Sequence, residues 1–141
     1  MMPSMMLDTN IISYVLKRPT SRIAERYRAL SAGAIVLSSI VEHELRYGVA
    51  RLPKEAKLAL LVEEALRPLK VMAWDSACAV RCASLRTQLG DTGFPMSYAD
   101  AMIAAHALVL DLTLVTNDLA FERVPGLRLD NWVTEPGDLQ K

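Results

Sequence analysis

Two short segments of the chain share one grammar. Met5-Met6-Leu7 runs into Asp8, Thr9 and Asn10, and Leu114-Val115 runs into Thr116, Asn117 and Asp118. Unbroken apolar runs are what strands covered on both faces of a parallel sheet require, and such sheets deliver polar chemistry at the carboxyl ends of their strands. Two strand ends of this kind, each carrying an aspartate, predict an acidic cleft above one edge of a sheet.

The rest of the chain fits that frame. Strands are expected at Met5–Asp8, Ala34–Ser38, Val71–Ala73, Leu112–Thr116 and Leu127–Leu129. Helical spacing fills the intervals: Thr9–Leu16 closed by Pro19, Ser21–Leu30 ended by Gly33, and Ser39 to about Ala50, opened by a capping box with Glu42. Further helices are expected from Pro53 to about Leu66, from an Asp75 cap to about Leu89, and from a Ser97 cap to about Leu110, with Gly90–Pro95 as a loop. Strands alternating with helices predict a three-layer α/β/α sandwich around a central, mainly parallel sheet.

At 141 residues and 52% hydrophobic content the chain suits a single domain over 1–141, with residues 133–141 as a polar tail. The longest uncharged stretch, Ala29 to Val41, covers 13 positions, short of the roughly 20 a membrane helix needs. The first residues lack the basic and apolar pattern of a leader, so a cytoplasmic location is expected. Cys78 and Cys82 stack one turn apart on a helix face, without the further Cys or His a zinc site would need, and read as core. Net charge is zero but uneven. Residues 1–86 carry 13 Lys/Arg against 8 Asp/Glu, and residues 87–141 carry 3 against 8. That balance argues against indiscriminate nucleic-acid binding, while allowing either a basic rim beside an acidic site or unevenly solvated helix faces.

Four acids are candidates for chemistry. Asp8 could simply cap the next helix, although Thr9 or Asn10 could do that equally well. Glu42 is satisfied by the capping box, whereas Glu44 lies on the side of Val41, Leu45 and Gly48, where an idle carboxylate would be costly. Gly48 one turn later would let another segment approach. Asp100 sits three residues after Ser97, a capping spacing in its own right, yet the run Ala99-Asp-Ala-Met-Ile-Ala-Ala-His106 is otherwise apolar. Asp118 could cap a turn at Leu119–Phe121. Carboxylates gathered in one cleft repel by about 4 kcal/mol per pair at ~4 Å and an effective dielectric near 20. Mg²⁺ or Mn²⁺, which prefers oxygen ligands, would reverse that penalty. Such a site suits hydrolysis of a phosphodiester by activated water. Other chemistries fit less well. His43-Glu44 lacks the second histidine of a zinc-protease helix, Asp8-Thr9-Asn10 lacks the second acid of a phosphoryl-transfer motif, and a receiver domain would want an acid paired beside Asp8.

Taken in order, Met-Leu-Asp-Thr-Asn at Met6–Asn10, Glu-Leu-x-Tyr-Gly at Glu44–Gly48, Asp-x-x-Ile-Ala-Ala at Asp100–Ala105, Val-Thr-Asn-Asp at Val115–Asp118, and Phe-x-x-Val-x-Gly-Leu at Phe121–Leu127 with Trp132 beyond resemble the PIN-domain toxins of the VapC type. The resemblance implies a Mg²⁺- or Mn²⁺-dependent endoribonuclease acting on transfer or ribosomal RNA, a homodimer, and inhibition by a VapB-type antitoxin. By position, Asp8 and Asp100 match the principal metal ligands, Glu44 the second acid, and Asp118 a fourth position that is Asp or Asn in relatives. Thr116 and Asn117 match polar residues of the site floor. Relatives often begin near Met6, so Met1–Met5 reads as an alternative start. The helical arm around Val41–Gly48 and Leu58–Leu66 is either plain core or, as in the family, part of an antitoxin grip. Lys17, Arg18, Arg22 and Arg26 are candidate contacts to an RNA backbone, or a solvated helix face. A catalytically weak PIN scaffold that binds RNA or protein is the alternative to the nuclease.

Overall fold

The computed structural model describes residues 2–30, 32–53, 56–93 and 96–133; the expected polar tail lies almost wholly outside them. Among the described residues five short strands, β1 (Met5–Leu7), β2 (Ile35–Ser38), β3 (Lys70–Met72), β4 (Thr113–Val115) and β5 (Leu129–Asp130), form one sheet in the order β3-β2-β1-β4-β5. Every pairing is parallel, with Met6 of β1 beside Val36 of β2 and Leu114 of β4. Met5 pairs with Ile35 and Thr113 as the first residue of β1.

Among the described residues six helices cover the sheet: α1 (Thr9–Lys17), α2 (Arg22–Ala29), α3 (Ser39–Ala50), α4 (Lys57–Leu66), α5 (Ser76–Asp91) and α6 (Tyr98–Leu110). The chain steps from β1 out to β2 and β3, then returns across the sheet to β4. Right-handed crossovers therefore place α1–α4 on one face and α5–α6 on the other. The packing agrees, since α1 meets α2, α3 and α4, while α5 lies along α6. The reversal between β1 and β4 opens a crevice at the carboxyl edge, where ligands of such sheets bind. Beneath it the core is apolar, with Met6, Leu7, Leu37, Leu85, Ile103, Leu114 and Phe121 fully buried. Cys78 and Cys82 are buried free thiols, as the spacing predicts.

Most helix starts are held by side chains, and here several boundaries differ from the sequence reading. The cap of α3 is Ser38, whose hydroxyl accepts the Ile40 N–H at 3.1 Å; Ser39 is already helical and accepts the Trp74 N–H at 3.0 Å. The cap is thus shifted by one residue, which puts Val41 rather than Glu42 at the box position, and Glu42 instead pairs with Arg46 one turn on. Pro53 does not open α4, which starts at Lys57 after an uncapped Ala56. Helix α2 ends at Ala29 with Leu30 as its cap, before Gly33, which sits in a short 3-10 turn. Helix α5 runs through Gly90, which the sequence reading placed in a loop. Gly48 has open space where a Cβ would stand, so among the described residues no segment packs against it in the expected way.

Ser21 is the most engaged cap. Its buried hydroxyl accepts the Ala24 N–H at 3.1 Å and donates to the Arg18 carbonyl at 2.7 Å, tying the α1–α2 turn to α2. Ser21→Ala should lower unfolding free energy by about 1 kcal/mol. Urea titration should show this as a shifted midpoint with an unchanged slope.

Candidate active site

Asp8 leaves β1 at the centre of the carboxyl edge and is 4% exposed. Its backbone N–H bonds to the Val115 carbonyl at 2.9 Å, so β4 locks it in place. One carboxylate oxygen accepts the Thr9 N–H and the other the Thr116 hydroxyl, each at 2.8 Å. The Thr116 oxygen in turn accepts the Asp118 N–H at 3.0 Å, and Asp118 caps the following 3-10 turn through the Ala120 N–H at 2.9 Å. On the other side the Thr9 hydroxyl donates to Glu44 of α3 at 2.5 Å. A continuous chain, Glu44–Thr9–Asp8–Thr116–Asp118, therefore crosses the edge. Asp100 approaches from α6, in its first turn, where its N–H is held by Ser97 at 3.2 Å. Asn117 is half-buried beside Thr116.

The electrostatics link these groups. Burial pushes the Asp8 carboxyl up to about 6; the bonds from Thr116 and Thr9 pull it down, and the charges of Asp100 and Glu44 push it further up. Asp100 is raised chiefly by burial, is lowered by Ser97, and is raised again by Asp118 and Glu44. Each of the four acids thus appears in the field of another, and among the described residues none of them is in an ion pair. Helix geometry separates the two glutamates of α3, turning Glu42 to Arg46 and Glu44 to Thr9.

A ready-made cage is not present. Among the described residues, no three carboxylate, imidazole or thiol side chains stand close enough to hold one ion together. This differs from the convergence expected from the sequence. Like charges repel, and Asp8 and Glu44 each turn an oxygen onto a threonine hydroxyl instead of toward a common point. The donor chemistry nonetheless suits a hard divalent cation. It is all oxygen, from carboxylates and threonine hydroxyls, whereas His43 is exposed near the Tyr47 ring and His106 is engaged with Ser38.

A groove of about 330 Å³ adjoins the acids between α1, α3 and α4, with Thr9, Ser13, Lys17, Glu44, Leu45 and Val62 among its walls. Val41, Leu45, Val62 and Leu66 of the helical arm are core, whereas Tyr47, Leu60 and Leu61 are exposed. Of the basic candidates, Lys17 faces this groove. Arg26 lies 5.2 Å above the Trp132 ring and pairs with Asp130, and Arg18 lies 5.2 Å above the Tyr14 ring.

Two contacts are not given by the sequence expectations. Thr9 was weighed only as a capping residue, yet it joins Glu44 to Asp8. Ser38 and His106 share a buried 2.8 Å hydrogen bond that ties the start of α3 to α6. The signal for Thr9 was available, because threonine adjoins both strand ends.

Comparison with known proteins gives a consistent result. The model of the PIN domain family matches residues 5–127. The chain is 38% identical over 129 residues to the tRNA(fMet)-specific endonuclease VapC of Salmonella typhimurium, covering 90% of this chain and 96% of that protein. It is 36% identical to ribonuclease VapC2 of Rickettsia felis, covering 90% and 96%. Among solved structures, DNA-bound VapBC from Salmonella typhimurium superposes with a TM-score of 0.86 at 35% identity, covering 93% of this chain and 99% of the other. VapBC2 from Rickettsia felis, bound to a fragment of its promoter, superposes with a TM-score of 0.83 at 34% identity, covering 91% and 98%.

Proposed function

The chain belongs to the PIN-domain family and, within it, to the VapC ribonuclease toxins, and from that membership we propose that its acidic cleft is the endonuclease site, with Asp8, Glu44, Asp100 and Asp118 as the catalytic set. Asp8 and Asp100 are the principal ligands of a divalent cation, Mg²⁺ or Mn²⁺. The observation that carries this reading is the hydrogen-bonded chain from Glu44 through Thr9, Asp8 and Thr116 to Asp118, with Asp100 facing it within electrostatic reach.

Each residue then has a distinct task. Asp8 is held at both oxygens and cannot swing away. Thr9 aims the Glu44 carboxylate, and Thr116 holds Asp8 and the backbone of Asp118. Asp100, placed by Ser97 in the first turn of α6, brings a charge from the opposite face of the sheet. When bound, the cation lowers the pKa of a water and offsets charge building on the phosphate. The clustered negative charge also admits RNA only where a counter-charge is in place. Lys17, at the rim, would contact the RNA backbone without reading its sequence.

A relative at 38% identity is named for a specific transfer RNA, so transfer RNA is the first substrate to test. Purified protein incubated with transfer RNA should yield fragments with discrete ends in Mg²⁺ and none in EDTA; intact RNA under both conditions would refute the assignment. Thr9→Val, which keeps the shape and removes the hydroxyl, should cut kcat roughly 10-fold, at the low end of what losing a supporting hydrogen bond costs a metal site. Single-turnover assays would read it directly.

The partner reading follows the family. A VapB-type antitoxin would lay an apolar segment along the groove of Leu45 and Val62 and reach Glu44 with a basic side chain. A homodimer and a cytoplasmic location complete the proposal. Among the described residues no helix is long and apolar enough to cross a membrane.

A further inference from the structure

We propose that a cleft formed by Trp74, Arg86 and Tyr98 receives an unpaired base of the RNA being cut, beside the scissile phosphate; this rests on the ribonuclease reading above. The cleft measures about 200 Å³ and lies between α5, α6 and the segment that follows β3, with Cys82 and Met102 as its floor. Its position suits a substrate site. Trp74 stands just beyond β3 on the same carboxyl edge as Asp8, which stands just beyond β1, two strand positions away in the sheet. Two strand spacings amount to roughly 10 Å. Helix α6 connects the two places, since its first turn presents both Tyr98 and Asp100. At about 100° per residue they point to different sides of the helix, one into the cleft and one toward the acids.

The walls are flat and cationic. The Arg86 guanidinium lies 3.8 Å from the centre of the Tyr98 ring, and Tyr98 is 65% exposed. The Trp74 ring is held by its indole N–H on the Met102 carbonyl at 2.9 Å, and its backbone N–H bonds to Ser39 at 3.0 Å. Unpaired RNA bases are bound by stacking on aromatic rings and on arginine planes. Among the described residues no carboxylate pairs with Arg86. A protein surface closing over this cleft would have to bring its own carboxylate, since a buried unpaired charge is costly. An RNA strand supplies a base for the rings and a phosphate for the guanidinium.

The test uses the full chain in two assays. In EDTA, single-stranded oligoribonucleotide should quench Trp74 fluorescence, with the buried Trp132 as a constant background. Tyr98→Ala and Arg86→Ala should each weaken this binding about tenfold, and Tyr98→Phe should restore it. With Mn²⁺ and transfer RNA, Tyr98→Ala should raise KM by a similar factor while kcat stays within twofold. Binding curves for both alanine variants that match wild type would overturn the proposal. So would a change in molecular mass on light scattering for Tyr98→Ala, which would make the cleft a contact between protein chains. If the wild type binds RNA with quenching but cuts none, the ribonuclease reading fails and the cleft stands on its binding data alone.

Discussion

Asp8→Asn should abolish most of the RNA cleavage while leaving the fold intact. Asparagine keeps the side-chain volume and can still accept the Thr9 N–H that Asp8 accepts at 2.8 Å. Its amide can donate to the Thr116 oxygen, so the chain to Asp118 survives with one proton reversed. What disappears is the negative charge at the centre of the edge, where Asp100 and Glu44 are felt. Removing one charge-stabilising group from a hydrolytic site costs about a hundredfold to a thousandfold in kcat, roughly 2.7–4 kcal/mol. Asp100→Asn should act similarly from the other face, and it retains the Ser97 cap because that bond uses the backbone N–H of residue 100. The decisive measurement pairs a cleavage time course with thermal melting in EDTA. Variants that melt no lower than wild type and cleave at wild-type rates would remove these carboxylates from the mechanism.

How far the molecule could be read from its letters follows from the range of each interaction. The sheet was legible because its strands are buried on both faces and announce themselves as unbroken apolar runs; Met5-Met6-Leu7 and Leu114-Val115 landed at adjacent positions in an all-parallel sheet. Caps that act within three residues were also legible at Asp75, Ser97 and Asp118. Ser38 and Ser39 were confused because either serine satisfies the local pattern. The choice was made by tertiary partners, since Ser39 is claimed by Trp74 and Ser38 by His106, 68 residues away. Pro53 misled for a related reason, because a proline suits a first helical turn but does not require one. In the site, the types and spacing of the acids pointed to one edge. The Thr9–Glu44 bond, and the failure of the carboxylates to meet at a point, depend on side-chain directions set by helices packed from two faces, which no local spacing encodes.

The stability of the cation-free protein should fall as pH rises, and Asp8 should account for most of the effect. Its folded carboxyl titrates near 6, against 3.8 when free in water, because burial disfavours the charged form more than Thr116 and Thr9 favour it. A carboxyl raised on folding contributes stability that is complete below about 3.8 and is lost as pH climbs through 6. The gap corresponds to ~3 kcal/mol at 1.36 kcal/mol per pH unit. Asp100 is raised too and adds in the same direction, less strongly because it is more exposed. The Asp8→Asn variant cannot ionise at this position, so it serves as the reference that cancels every other titrating group. In EDTA its unfolding free energy should equal or fall slightly below that of wild type near pH 4, then exceed it by a margin that grows to pH 7 and levels off. Adding Mn²⁺ should erase or reverse the margin, because a cation bound only to the folded carboxylates stabilises wild type by mass action. Urea titrations at half-unit pH steps would resolve the trend. Parallel curves for the two proteins from pH 4 to 8 would mean that Asp8 is not held in the buried, crowded setting on which both its reactivity and its affinity for a cation depend.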